Sequence, residues 1–223
     1  MPPVTLSVTI GIACADGEPS DGRRRMRNLP AVTQDPAEPL VGHAPAAGTP
    51  PSGPRALARA RWAVWRSRGA VTAARGAALG PGVRFDLRPG ARVSLGGGCA
   101  VGGGTRLHVT AGTVRIGAGA QLGDRCVLQS RTAVTIGAGA RLADEVVLLD
   151  HRPRTADVEL PVRVQGVDAA PIEIGARASV GARTVLSGGA TVGQGAQLAA
   201  HLLIDGTVPD GARITGDVPP GPL

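Results

Sequence analysis

The chain has no tyrosine, one phenylalanine (Phe85) and two tryptophans (Trp62 and Trp65) in 223 residues. A protein that reads nucleic acid by stacking bases on rings is not expected from such a composition. Lysine is absent as well, so all 24 basic residues are arginine. Three cysteines, Cys14, Cys99 and Cys126, are too scattered for a disulfide framework or a zinc pattern. No run of about 18 apolar residues occurs, and no membrane span is expected. Residues 4–15 are apolar and end in Ala-Cys-Ala, but no positive segment precedes them; the expected location is cytoplasmic.

What remains must build a core without rings. Hydrophobic residues make up 43% of the chain, enough to exclude wholesale disorder, and that core must be Val, Ile, Leu and Ala. With 34 Gly and 19 Pro, a helical bundle is disfavoured. The formal net charge of +7 lies wholly in the first part of the chain. Residues 1–92 hold 13 Arg and 6 acids, and residues 93–223 hold 11 of each. The excess therefore reads as a solvated arm and one basic helix, with no nucleic acid as partner.

Residues 1–53 are rich in Pro, Gly, Asp and Glu without a sustained period, and a disordered arm is expected there. Residues 54–78 turn to Ala, Leu, Trp and Arg. Ala58, Trp62 and Trp65 fall on one helical face, among Arg55, Arg59, Arg66 and Arg68. Two readings of this basic amphipathic helix stand. It caps a domain with the two tryptophans as its packing face, or it lies on a membrane surface.

From Leu79 onward the period is six. Ile174, Val180, Leu186, Val192, Leu198 and Ile204 are six aliphatic residues, each six apart. The same ladder runs through Leu95, Val101 and Leu107, then Ile116, Leu122 and Leu128, then Ile136, Leu142 and Leu148. Gly or another small residue commonly follows the rung, and the fifth place is small. Six residues make one short strand and a corner, and three such units make a triangular turn of about eighteen residues. The rung points into the prism and stacks on its equivalent one turn away. The fifth place must be small because it shares that narrow interior, and Gly near a corner permits positive φ.

This pattern, over residues 79–218, resembles the hexapeptide-repeat family, whose members form left-handed parallel β-helices. The ladder breaks once, for an excursion over residues 151–171. Here the sequence is similar to the sugar and small-molecule O-acetyltransferase branch: His151 at the end of a coil, Gln165-Gly166 in the excursion, then Ile174-Gly175 and Val180-Gly181. Val208-Pro209 matches the closing segment, and Gly216 and Pro219 match the tail loosely.

The resemblance implies transfer of an acetyl or other short acyl group from a coenzyme A thioester to a hydroxyl, less often an amine, of a saccharide or similar small acceptor. Acetyl-CoA would be the acyl donor, and no metal is implied. An alcohol is a poor nucleophile at neutral pH, and an imidazole can take its proton as it attacks. His151 is the candidate base. Asp150, Asp124 or a backbone carbonyl could orient the ring. A backbone N–H of a neighbouring coil or subunit would stabilise the oxyanion. Coenzyme contacts carry over to Ala182 and Ala200. The family places its cleft between subunits, which implies a homotrimer.

The chain departs from the family at several places. Ser179 replaces an aromatic, Asp205-Gly206 replaces Thr-Lys, Arg154 replaces a second His, and Gly123-Asp124 occupies the neighbourhood of a supporting Asn. These changes feed an alternative, a non-catalytic hexapeptide-repeat scaffold. A γ-class carbonic anhydrase would need three zinc-binding His, two of them close in sequence. His108, His151 and His201 contain no close pair.

Overall fold

The computed structural model describes residues 50–155 and 161–215. The expected arm, up to residue 49, and the Gly216 and Pro219 tail lie outside the described residues, as do residues 156–160 of the excursion. The described chain is one short helix followed by a parallel β-solenoid whose three flat faces hold seven, seven and six strands.

Each turn crosses the three faces in order. One such turn is Ala133–Ile136 on the first face, Arg141–Leu142 on the second and Val147–Leu149 on the third. Its strands pair in parallel with the turns on both sides: Ile136 with Ile116 and Ile174, Leu142 with Leu122 and Val180, Leu148 with Leu128 and Leu186. These residues are buried, as are the fifth-place residues Ala120, Ala140, Ala178 and Ala196. Cys99 and Cys126 fill the same small inward slots, where burial pushes both thiols up to about 11. They are core residues with little thiolate character.

The turns are not all eighteen residues long. Leu95 pairs with Ile116 and Ile116 with Ile136, steps of 21 and 20; only after the excursion does Ile174 pair with Val192, a step of 18. The extra residues sit between the third and first faces, as in Thr110 to Gly112, and this is why the upstream ladder comes in triplets. The glycine directly after a rung also has a different reason from the one expected. Gly137 has no positive φ, but a Cβ there would stand 2.5 Å from the backbone nitrogen of Ala176 on the next turn. Close approach of turns, rather than handed backbone, requires it.

The helix α1 spans Pro54–Arg66 and stops well short of residue 78. Ser67 N–H closes on the Ala63 carbonyl, and Arg68 and Gly69 then take positive φ, a left-handed stop. The first solenoid strand, Val71–Ala73, already pairs with Val93 to Leu95, so the solenoid begins before Leu79. The packing face of α1 is not the tryptophan face. Ala56 and Ala60 are buried, whereas Trp62 and Trp65 are exposed. Small alanines allow close approach to the first turn, which bulky indoles would prevent, and Arg59 adds a bond to the Leu79 carbonyl.

Gly112, at a corner between the third and first faces, has φ +76, and a Cβ there would lie 1.7 Å from the Thr132 carbonyl oxygen. Gly112→Ala should destabilise the fold by about 2 kcal/mol or more, combining left-handed strain with a forced shift of Thr132. Chemical denaturation of the two proteins checks this; equal midpoints would mean that the corner yields freely.

Candidate active site

The third-face strands end in an inward column that reads Val109, Ser130, Asp150 along successive turns. Val109 keeps the column apolar on one turn, and Ser130 already breaks that on the next. Asp150 then puts a carboxylate at this place with no solvent exposure. A buried charge is tolerable only if it is hydrogen-bonded, and here four donors come from the preceding corner. Asp150 Oδ2 accepts from Ser130 Oγ at 2.9 Å, Thr132 N–H at 2.7 Å and Thr132 Oγ1 at 2.9 Å. Arg131 N–H donates at 2.8 Å. Burial pushes the carboxyl up, but the Thr132 and Arg131 N–H groups, His151 and Ser130 together outweigh it and hold the group below the usual carboxylate range.

The remaining oxygen, Oδ1, faces His151 Nδ1 at 3.0 Å. An ionised carboxylate accepts only, so the imidazole carries its proton on Nδ1 and turns Nε2 outward as the acceptor. The ring is largely but not wholly covered, with 18% of the side chain exposed. Of the three orienting groups expected from sequence, the geometry brings Asp150 to His151. Asp124 lies on another edge, between the second and third faces, where its carboxylate accepts from Gly103 N–H.

The excursion is a hairpin. His151–Pro153 pairs antiparallel with Val167–Ala169, and a 3-10 turn at Val162–Val164 precedes Gly166, whose φ is +82. Ala170 N–H returns to the Asp150 carbonyl at 2.9 Å and closes the base. The hairpin also carries an open groove of about 670 Å³, lined by Arg152, Arg154, Thr155, Asp168, Ala170 and Gly188 and not by His151 or Asp150. Arg154 pairs with Asp168 across the hairpin.

Ala182 and Ala200 stack on neighbouring turns of the edge between the second and third faces, linked through His201 N–H to the Ala182 carbonyl at 2.9 Å. The same edge carries an ion-pair ladder in which Glu145 joins Arg125 and Arg183, each at 2.7 Å. First Arg183 and then Arg125 hold the Glu145 carboxyl below its ordinary value. A single chain therefore keeps His151 and the two alanines on different edges. His201 is exposed, and His108 bonds to Asp86 and Thr110 on the outer third face. Among the described residues no group of three or more His, Cys, Asp or Glu could hold a metal ion, and no helix is long and apolar enough to cross a membrane.

Ser130, Arg131 and Thr132 were not anticipated from sequence. The available signal was a polar residue, Ser130, in an inward column, twenty residues before Asp150.

No family model matches the chain. It is 29% identical over 133 residues to the "Probable acetyltransferase Rv3034c" of Mycobacterium tuberculosis, covering 59% of this chain and 44% of that protein. The chain thus spans less than half of the length of that relative. Among solved structures, a point mutant of AntD, an N-acyltransferase from Bacillus cereus, in complex with dTDP-4-amino-4,6-dideoxyglucose and coenzyme A, superposes with a TM-score of 0.55. Identity is 13%, over 66% of this chain and 79% of that one. A second mutant with the same ligands gives 0.50, at 12% identity over 61% and 76%. These likenesses show a shared β-solenoid fold.

Asp150→Asn should lower stability by roughly 2–4 kcal/mol, because an amide NH₂ placed among buried donors leaves at least one donor unaccepted. The pH profile follows from the depressed carboxyl. Its contribution is complete above the unfolded value of about 4 and is lost as pH falls through the lower folded value. The wild-type melting temperature should therefore fall more steeply than that of the variant below about pH 4. Parallel profiles would remove the ionised Asp150 from the account.

Proposed function

We propose that the protein is a coenzyme A-dependent acyltransferase that moves an acetyl or other short acyl group to a hydroxyl of a saccharide or similar small acceptor. The observation that carries this is the His151–Asp150 pair, a solvent-reaching imidazole fixed by a buried carboxylate at the root of the hairpin. The M. tuberculosis relative is named as an acetyltransferase, and the AntD structures hold coenzyme A, both in keeping with this chemistry.

In this reading His151 Nε2 takes the proton of the attacking hydroxyl. Asp150 fixes the tautomer and steadies the imidazolium that forms, as in other carboxylate-backed imidazole bases. The oxygen bonds to the thioester carbonyl carbon, the tetrahedral oxyanion collapses, and the coenzyme A thiolate leaves and takes up the proton. No covalent enzyme intermediate is needed, and the buried Cys99 and Cys126 take no part. The acceptor approaches His151 Nε2 at the root of the hairpin. Ala182 and Ala200 line the coenzyme path, where Arg125 and Arg183 place positive charge on the same edge. An amine acceptor is the second reading, favoured by AntD, an N-acyltransferase seen with an amino sugar nucleotide. The proposed location is the cytoplasm.

His151→Ala should lower acyl transfer by about 10²–10⁴ while leaving coenzyme A affinity unchanged, with only a modest fall in melting temperature because Arg131 N–H still donates to Asp150 Oδ1. His201→Ala should cost far less. Coenzyme A release with a panel of hydroxyl and amino sugars gives the rates. Near-wild-type turnover by the His151 variant would sink the mechanism, and no turnover by the wild type with any acceptor would favour the non-catalytic scaffold.

The proposed assembly is a homotrimer, since the base and the coenzyme edge of one chain are separated by a face, and a neighbouring copy can bring its own coenzyme edge to His151. Sedimentation at micromolar concentration should show the trimer; monomer alone would contradict the shared site.

A further inference from the structure

The chain's only two tryptophans are both turned outward on α1. Ala56 and Ala60 bury the inner side of the helix, while Trp65 is 79% exposed, Trp62 56% and Leu57 41%. Large apolar side chains clustered at a surface mark an interaction site more often than not. The charge around them narrows the partner. Arg55, Arg61 and Arg66 lie on the helix and Arg68 follows it, while Arg59 is bonded to the Leu79 carbonyl, and no acid occurs anywhere in residues 50–85.

We infer that the outer face of α1 is a peripheral membrane-binding surface for anionic lipid, with Trp62 and Trp65 seated at headgroup level and the surrounding arginines on lipid phosphates. An indole places an apolar body toward acyl chains and its N–H toward water, and arginine extends its guanidinium past an apolar stem to the headgroups. Thirteen residues are too few to span a bilayer but enough to lie on one. A second copy of the same face would bring arginine against arginine. Single-stranded nucleic acid supplies phosphates too, but stacking on Trp62 would compete with the Arg66 guanidinium, which sits 5.1 Å from the centre of that ring. The inner side of α1 rests on the first turn of the solenoid, so the attachment surface sits at that end of the prism. A parallel trimer would set three such caps on one side and strengthen attachment by avidity, although one cap suffices for binding.

The sequence supplies its own reporter, because with no tyrosine and two tryptophans, intrinsic fluorescence reads this face alone. The full chain is mixed with vesicles of phosphatidylglycerol and phosphatidylcholine, or of phosphatidylcholine only, and followed by emission and co-sedimentation. Anionic vesicles should shift the emission to the blue, protect it from acrylamide and pellet the protein; raised salt should weaken all three. Arg55→Gln and Arg61→Gln should each weaken partitioning roughly fivefold. Trp62→Ala with Trp65→Ala should reduce pelleting at least tenfold at unchanged melting temperature. Three results would overturn the inference. One is equal pelleting by the double tryptophan variant. Another is a blue-shifted, acrylamide-protected emission in the free protein that anionic vesicles do not change, which means the face is already covered. The third is a response to single-stranded oligonucleotide and none to anionic vesicles.

Discussion

Successive turns stack at the spacing of a parallel ladder, about 4.8 Å, and enclose a triangular interior only wide enough for one aliphatic side chain and one small one per corner. Most other features of the domain follow from that limit. Rings do not fit, so Phe85 sits partly covered on the first turn, where only one neighbour crowds it, and the tryptophans lie outside on α1. Cys99 and Cys126 are tolerated because a thiol is as small as the alanines that fill the equivalent slots. No turn can bury its rung alone, so each Ile or Leu depends on the turns above and below it, as in other repeat folds. The first turn has no predecessor, and α1 covers it with alanines.

The same limit gives Asp150 its meaning. A charge in the inward column has no room for water and must take its donors from the protein. The looser corner between the third and first faces can supply them, since its extra residues turn the Arg131 and Thr132 N–H groups inward. The result is a carboxylate that cannot rotate. His151 follows it directly in sequence and inherits a fixed ring plane and tautomer. A site whose orienting group is held by four donors besides the histidine it orients is pre-organised by folding, without any movement at the time of reaction.

Much of this was legible in the sequence. The six-residue ladder gave the strands, the inward side and the small fifth place, because those depend on local spacing alone. The break after Leu148 marked the excursion, and His151 stood out as the residue at its root. The upstream turns exceed eighteen residues, since that period needs three equal corners, and Thr110 to Gly112 show that one corner is longer. The face of α1 was open between two readings because helical period locates a stripe but not which stripe packs. Alanine and tryptophan compete for the inner side, and the tight first turn selects alanine. The donors to Asp150 were hidden because the bonds from Arg131 and Thr132 come largely from backbone, which any residue type provides.

The split of the proposed site between two edges follows from the fold rather than from chance. In a prism, the residue that ends the third face and the residues that begin it are separated by the face itself, roughly four residues or about 13 Å. His151 is at one end, while Ala182 and Ala200 are at the other. Two like prisms standing side by side in the same direction bring unlike edges together, and repeating that contact by a third of a turn closes after three copies. Residues 93–223 carry equal numbers of Arg and acids, so most of the solenoid would bring no net charge to the proposed assembly. The charge excess lies in residues 54–92, nine Arg against one acid, on α1 and the first turn of the solenoid. A repeat that supplies identical rigid edges can thus divide a two-substrate site between chains, with the base on one and the coenzyme path on the next, and keep both fixed by the same stack of aliphatic rungs.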